Sequence, residues 1–154
     1  MIEHKKEKIF NVLDQYLQFL NSIPAINYGG CGIAAYCLSK VLERHQMPKS
    51  KALMLFQLGD EAVVVRNIDG LYNSKINKLS SCSHVICENS GVFFDSCGEF
   101  PISDMMIKHK YILVCDTDEL YSVIKHGKGW NCRFNREHYV PLIEEFFQLN
   151  LDLI

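Results

Sequence analysis

The hydrophobic and polar positions divide the chain into a helical beginning, a strand-rich middle and a helical end. Residues 5 to about 20 repeat apolar side chains at helical spacing, with charged side chains opposite them. A second helical pattern runs from about Cys31 to His45. Pro24 ends the first pattern, and a glycine-rich loop from Asn27 to Gly32 leads into the second.

The middle of the chain alternates in the manner of strands. The predicted strands are residues 52–58, 62–68, 84–88, 92–95 and 111–115. The tetrapeptide Asp116-Thr117-Asp118-Glu119 resembles a capping box and opens a helix to about His126, and a last helix begins near Pro141. Helices, then an antiparallel sheet, then helices predict the α+β class, in a single domain over residues 1–154.

Composition narrows the classes of protein that fit. The chain has 154 residues, of which 48% are hydrophobic and 22% charged, so it is neither a disordered chain nor a coiled coil. A net charge of −2 without a dense basic stripe argues against nucleic acid as a partner. No apolar run approaches the roughly 20 residues of a membrane span. Seven cysteines without an export signal predict reduced thiols in the cytoplasm, and nothing in the pattern calls for a cofactor or a metal.

Cys31 is the first candidate for chemistry, because it stands where the second predicted helix begins. Unpaired N–H groups and the helix dipole favour an anion there, and the thiolate is the nucleophilic form of cysteine. The glycines at 29, 30 and 32 are expected to leave the sulfur accessible, and the N–H of Cys31 could bind an oxyanion. The dipole alone contributes at most about 2 kcal/mol, so a catalytic thiol would also need a cationic partner.

His84 and Asp95 supply such a partner if the predicted hairpin has the right register. A turn of two residues, Ser90-Gly91, places Ile86 opposite Asp95, and a turn of four places His84 there. Both put His84 and Asp95 on one face of the sheet, whereas a turn of three puts them on opposite faces. A carboxylate beside an imidazole fixes its tautomer and stabilises its cation. Alone, each of these residues also fits an ordinary surface hairpin.

Together these residues resemble the papain-like cysteine peptidase superfamily, and the Cys–His–Asp order with short spacing is most similar to its transglutaminase-like branch. The matching segments are Gly30-Cys31-Gly32, His84-Val85-Ile86 and Phe93-Phe94-Asp95-Ser96. The resemblance implies a papain-like core whose nucleophile-bearing helix packs on an antiparallel sheet. It implies Cys31 as nucleophile, His84 as general base and acid, and Asp95 as the orienting group. Papain-type enzymes place a glutamine shortly before the nucleophile, and here Asn27 stands in for that oxyanion-hole residue.

The implied function is hydrolysis of an amide, peptide or isopeptide bond in a protein or peptide substrate, through a thioester. Two alternatives stay open: a transglutaminase-like acyltransferase, and a non-catalytic binding domain on the same fold. A third interpretation takes Cys82, His84, Cys87 and Cys97 as zinc ligands. Strand alternation counts against it, because Cys87 then faces away from His84, and the chain has no Cys-x2-Cys pair.

Overall fold

A computed structural model describes residues 2–24, 26, 30–56, 82–101, 103, 111–126 and 133–150, with backbone alone at 56, 82–83, 111–113 and 146–150. The helices are α1 (Ile2–Ser22), α2 (Cys31–Arg44), α3 (Thr117–His126) and α4 (Val140–Asn150), and a π-helical turn (Asn135–Tyr139) precedes α4. The strands are β1 (Lys51–Phe56), β2 (Cys82–Asn89), β3 (Val92–Asp95), β4 (Gly98–Glu99) and β5 (Tyr111–Asp116).

The strands form one five-stranded sheet in the order β4-β3-β2-β1-β5, and each neighbouring pair is antiparallel. Chain order therefore runs from helices through an antiparallel sheet to helices, which confirms the predicted α+β class. β1 lies between β2 and β5, so the strand predicted at 52–58 occupies an interior position of the sheet. Its predicted hairpin partner, residues 62–68, lies outside the described residues.

The two faces of the sheet contact different apolar groups, as the alternation of strand side chains requires. One face packs against α1 and α2 and forms the main core, to which the strands contribute Ala52, Met54, Val85, Cys87, Val92, Phe94 and Cys115. The opposite face carries a smaller cluster of Leu53, Leu55 and Ile86, with Phe93 and Phe100 against it. His84 belongs by alternation to this second face, at the end of the sheet where β3 stops.

Helix α3 is held close to the first turn of α2. The predicted cap at its start is confirmed, since the N–H of Asp118 donates to Asp116 Oδ1 at 2.8 Å. Lys40 of α2 pairs with Asp118 at 2.6 Å. A Cβ at Gly32 would lie 3.0 Å from Ile124 Cδ1, so a glycine here lets α3 pack tightly beside Cys31.

Element ends differ modestly from the sequence-based expectations. Helix α1 extends two residues beyond the predicted end at about residue 20, and β2 extends beyond the predicted strand at both ends. The short strand β4 was not predicted, because two residues are too few to show alternation. Among the described residues, no helix combines the length and the apolar character needed to cross a membrane.

Candidate active site

The β2–β3 hairpin has the register with a two-residue turn. Cys87 pairs with Phe94 and Asn89 with Val92, which leaves Ser90-Gly91 as the turn and places Ile86 opposite Asp95. Ser90 and Gly91 both have positive φ, 53° and 85°, as the hairpin turn that matches sheet twist requires. His84 and Asp95 therefore lie on one face of the sheet, diagonal to each other, in one of the two favourable arrangements that the sequence left open.

Asp95 orients the imidazole of His84 directly. His84 Nε2 donates to Asp95 Oδ2 at 2.7 Å, and the two side chains are only 15% and 11% exposed. The other carboxylate oxygen, Oδ1, accepts from the backbone N–H of Cys97 at 2.8 Å. Both oxygens of Asp95 are thus engaged, and the ring of Phe100, centred 5.8 Å from that of His84, packs beside the imidazole.

His84 joins this carboxylate to the sulfur of Cys31. The two side chains share a hydrogen bond, and because Nε2 faces Asp95, the remaining ring nitrogen, Nδ1, is the one available to the sulfur. Burial lowers the pKa of His84, but the hydrogen bonds with Asp95 and Cys31, and their charges, outweigh it and raise the pKa from 6.5 to about 9. The imidazole is therefore a cation at neutral pH, next to the sulfur.

The start of α2 supplies hydrogen-bond donors on the same side as the sulfur. The first i to i−4 bond of the helix runs from the N–H of Ala34 to the carbonyl of Gly30, at 2.9 Å. The N–H of Cys31 precedes that bond, and no side chain of the described part of the chain caps this terminus. An oxyanion formed at Cys31 would therefore meet a backbone N–H and the positive end of the helix.

The glycines at 30 and 32 permit close packing around Cys31. Gly30 has an ordinary φ of −100°, so it is not needed for an unusual backbone conformation. A Cβ at this position would lie 2.6 Å from the carbonyl oxygen of Ile26 and 2.7 Å from its Cδ1. Gly32 makes room for α3. Gly30 and Gly32 each permit close packing next to Cys31, and the open approach to the sulfur stays a prediction.

The other described thiols differ from Cys31 in their burial and in the groups that they contact. Cys37 and Cys87 are fully buried, and burial raises the pKa of each thiol. Burial, followed by the charges of Glu119 and Asp116, raises the pKa of Cys115 to about 12. Cys97 is exposed, and its thiol lies 3.8 Å from Asn21 Oδ1. Cys31 is therefore the described thiol that contacts an imidazolium while remaining partly accessible.

Two of the candidate zinc ligands, His84 and Cys87, lie on opposite faces of the sheet. Cys87 lies on the core face of the sheet, opposite to His84, and its thiol donates to the carbonyl of Ala35 at 3.1 Å. The carboxylate of Asp95, and not a thiolate, occupies the Nε2 side of His84. Within the described ranges, no group of three or more His, Cys, Asp or Glu side chains is arranged to hold a metal ion.

Replacing Asp95 with asparagine is expected to lower the pKa of His84, since it removes the carboxylate charge and leaves only a neutral amide oxygen to accept the Nε2 hydrogen bond. NMR titration of the His84 ring should show a pKa near 9 in the wild type and a lower value in Asp95→Asn. Asp14→Asn, at an exposed position of α1, is the matched control. An unchanged His84 titration in Asp95→Asn would contradict the assigned contact.

The raised pKa of His84 also makes the stability of the folded state depend on pH. The folded-state pKa of His84 is about 9, above the 6.5 of the free side chain, so the folded state binds the proton more tightly. Its contribution to stability is fully present below about pH 6.5 and is lost as the pH rises through about 9. Asp95→Asn should flatten this loss in chemical denaturation across that range.

The structure thus brings together three of the four residues singled out by sequence, Cys31, His84 and Asp95. Asn27, the fourth, lies outside the described residues. Phe100 and Tyr139 also border the site, and the sequence pattern contained no signal for either, because both reach it by tertiary packing.

Comparison with protein-family models, with curated proteins and with solved structures found no match to this chain.

Proposed function

We propose that this chain is a cysteine hydrolase with a papain-like core of the transglutaminase-like type, and that it cleaves an amide, peptide or isopeptide bond in a protein or peptide. The single observation that carries this proposal is the His84 imidazole, which bonds Asp95 through Nε2 and also bonds the thiol of Cys31. Three groups from α2, β2 and β3 meet there, in the arrangement that activates a nucleophilic thiol.

In the first half of the reaction, a thiolate of Cys31 attacks the substrate carbonyl. The S–C bond forms while the carbonyl π pair moves to oxygen, and the oxyanion accepts a hydrogen bond from the N–H of Cys31. The C=O bond then reforms and the C–N bond breaks. The leaving nitrogen keeps the bonding pair and takes the proton from His84, which leaves a thioester on Cys31 and a neutral imidazole.

In the second half, water regenerates the thiol. Neutral His84 takes a proton from water as the water oxygen attacks the thioester carbonyl, and the tetrahedral intermediate collapses with cleavage of the C–S bond. The sulfur recovers its electron pair, the acid is released, and His84 is again a cation beside a thiolate. Asp95 accepts the Nε2 hydrogen bond and holds the ring in the orientation that serves both proton transfers.

The thiols of the chain fit a reducing compartment, and we place the protein in the cytoplasm. Cys31, Cys37, Cys87 and Cys115 all carry free thiols. A disulfide at Cys31 would remove the nucleophile, so the proposed activity requires the reduced state that glutathione and thioredoxin maintain there.

A small activated ester tests this function without knowledge of the natural substrate. Wild-type protein mixed with p-nitrophenyl acetate should release nitrophenolate in a burst of about one equivalent per chain, because acylation outpaces hydrolysis of the thioester. Peptide mass spectrometry should find the acetyl group on Cys31. A burst with the acetyl group on Cys97, or the absence of a burst, would reject the proposal.

A further inference from the structure

Tyr139 lies against the residue that precedes the nucleophile. It is the last residue of the π-helical turn, and only 6% of it is exposed. Its ring packs so closely on Gly30 that a Cβ there would lie 3.2 Å from Tyr139 Cδ1. The ring of Phe134 meets it edge-on, with centroids 5.6 Å apart. The ring of Tyr139 is thus packed between Phe134 and the residue that precedes α2.

The hydroxyl of this tyrosine has the chemistry of a hydrogen-bond donor. Burial, followed by the charge of Cys31, raises the pKa of Tyr139, so the phenol keeps its proton throughout the working range of the enzyme. The charge interaction also places the phenol and the sulfur in one electrostatic environment. Short π-helical segments occur frequently at functional sites, and here one carries Tyr139.

The proposed reaction needs a donor of this kind. An oxyanion hole generally combines two donors, and the backbone N–H of Cys31 supplies one of them. His84 is committed to the sulfur and the leaving group. The ring of Tyr139 packs on Gly30 at the N-terminus of α2, the same end of the helix at which the oxygen of the substrate would develop its negative charge.

We propose that the Tyr139 hydroxyl is a side-chain donor of the oxyanion hole and binds the carbonyl oxygen of the substrate together with the N–H of Cys31. This inference rests on the proposed hydrolase function. It assigns Tyr139 a direct contact with the reacting atoms, in addition to its packing on Gly30. The phenol strengthens its hydrogen bond as the carbonyl oxygen becomes an anion and transfers no proton to it.

Tyr139→Phe isolates the hydroxyl because it preserves the ring that packs on Gly30. We expect the rate of the nitrophenolate burst with p-nitrophenyl acetate to fall about 100-fold, as for loss of one oxyanion donor. Alkylation of Cys31 by iodoacetamide should stay within about 2-fold of wild type, because displacement of iodide generates no oxyanion. The matched control is Tyr36→Phe, an equally buried tyrosine of α2 that stacks on Tyr121 and lies beside Lys40.

The paired readouts separate the possible outcomes. A slow burst with normal alkylation supports the assignment. If the burst rate and the alkylation rate fall equally, Tyr139 only positions the thiol. If both rates stay at the wild-type value, the Tyr139 hydroxyl does not contribute to the reaction. Either result overturns the inference. If wild-type protein itself gives no burst, the hydrolase proposal fails first, whatever the variant does.

Discussion

Cys31→Ala is expected to abolish acyl-enzyme formation. In the proposed mechanism the sulfur forms the bond to the substrate, and Cys31 is the thiol that contacts the His84 imidazole. The rate of the nitrophenolate burst should fall to about one thousandth of the wild-type rate or less, which is the level of general background catalysis. The measurement is stopped-flow absorbance with p-nitrophenyl acetate.

The control for this substitution is Cys97→Ala. Cys97 is exposed and close to the site, since its backbone N–H bonds Asp95, and alanine preserves that N–H. This variant should keep the wild-type burst. A burst that survives in Cys31→Ala and disappears in Cys97→Ala would move the nucleophile to the other cysteine and end the proposed mechanism.

His84→Ala should produce the second large effect. In the proposed mechanism, loss of the imidazole removes both the cation beside the sulfur and the group that moves protons, so we expect the burst rate to fall by about 10³-fold or more. Alkylation of Cys31 at mildly acidic pH should slow as well, because an isolated thiol is mostly protonated there. His126→Ala, at an exposed position near the end of α3, is the control and should retain both rates.

Folding must be separated from chemistry in this variant. His84→Ala leaves the Asp95 carboxylate 11% exposed without its imidazole partner, which costs stability. The double variant His84→Ala/Asp95→Ala removes both partners and should unfold at a higher denaturant concentration than the single variant. Free imidazole should restore part of the burst in either variant. Full activity of the folded double variant would rule out His84 as the general base.

The sequence predicted the local elements of the site well because they depend on local rules. Helical spacing and the glycine-rich loop located the start of α2 at Cys31, and strand alternation placed His84 and Asp95 on one face for any even turn. The number of turn residues was open, since Asn89-Ser90-Gly91 fits several turns. Only the pairing of Cys87 with Phe94 selects the two-residue turn.

The rest of the site depends on contacts between distant segments. No periodicity relates α2 to β2, so the meeting of Cys31 with His84 followed from the family resemblance and not from spacing. The close packing at Gly30 has no signal in the sequence because its neighbours, Ile26 and Tyr139, are set by tertiary packing. Phe100 likewise reaches His84 because its N–H pairs with the carbonyl of Phe93 at 2.8 Å, beyond the end of β3.

The relative reactivity of the thiols is the most direct test of the assembled site. Wild-type protein should be treated with limiting iodoacetamide at mildly acidic pH, and each of the seven cysteines followed by peptide mass spectrometry. Contact with the His84 cation predicts that Cys31 is alkylated first, at least about 10-fold faster than exposed Cys97. Equal rates of alkylation at Cys31 and Cys97 would contradict a thiol activated by His84.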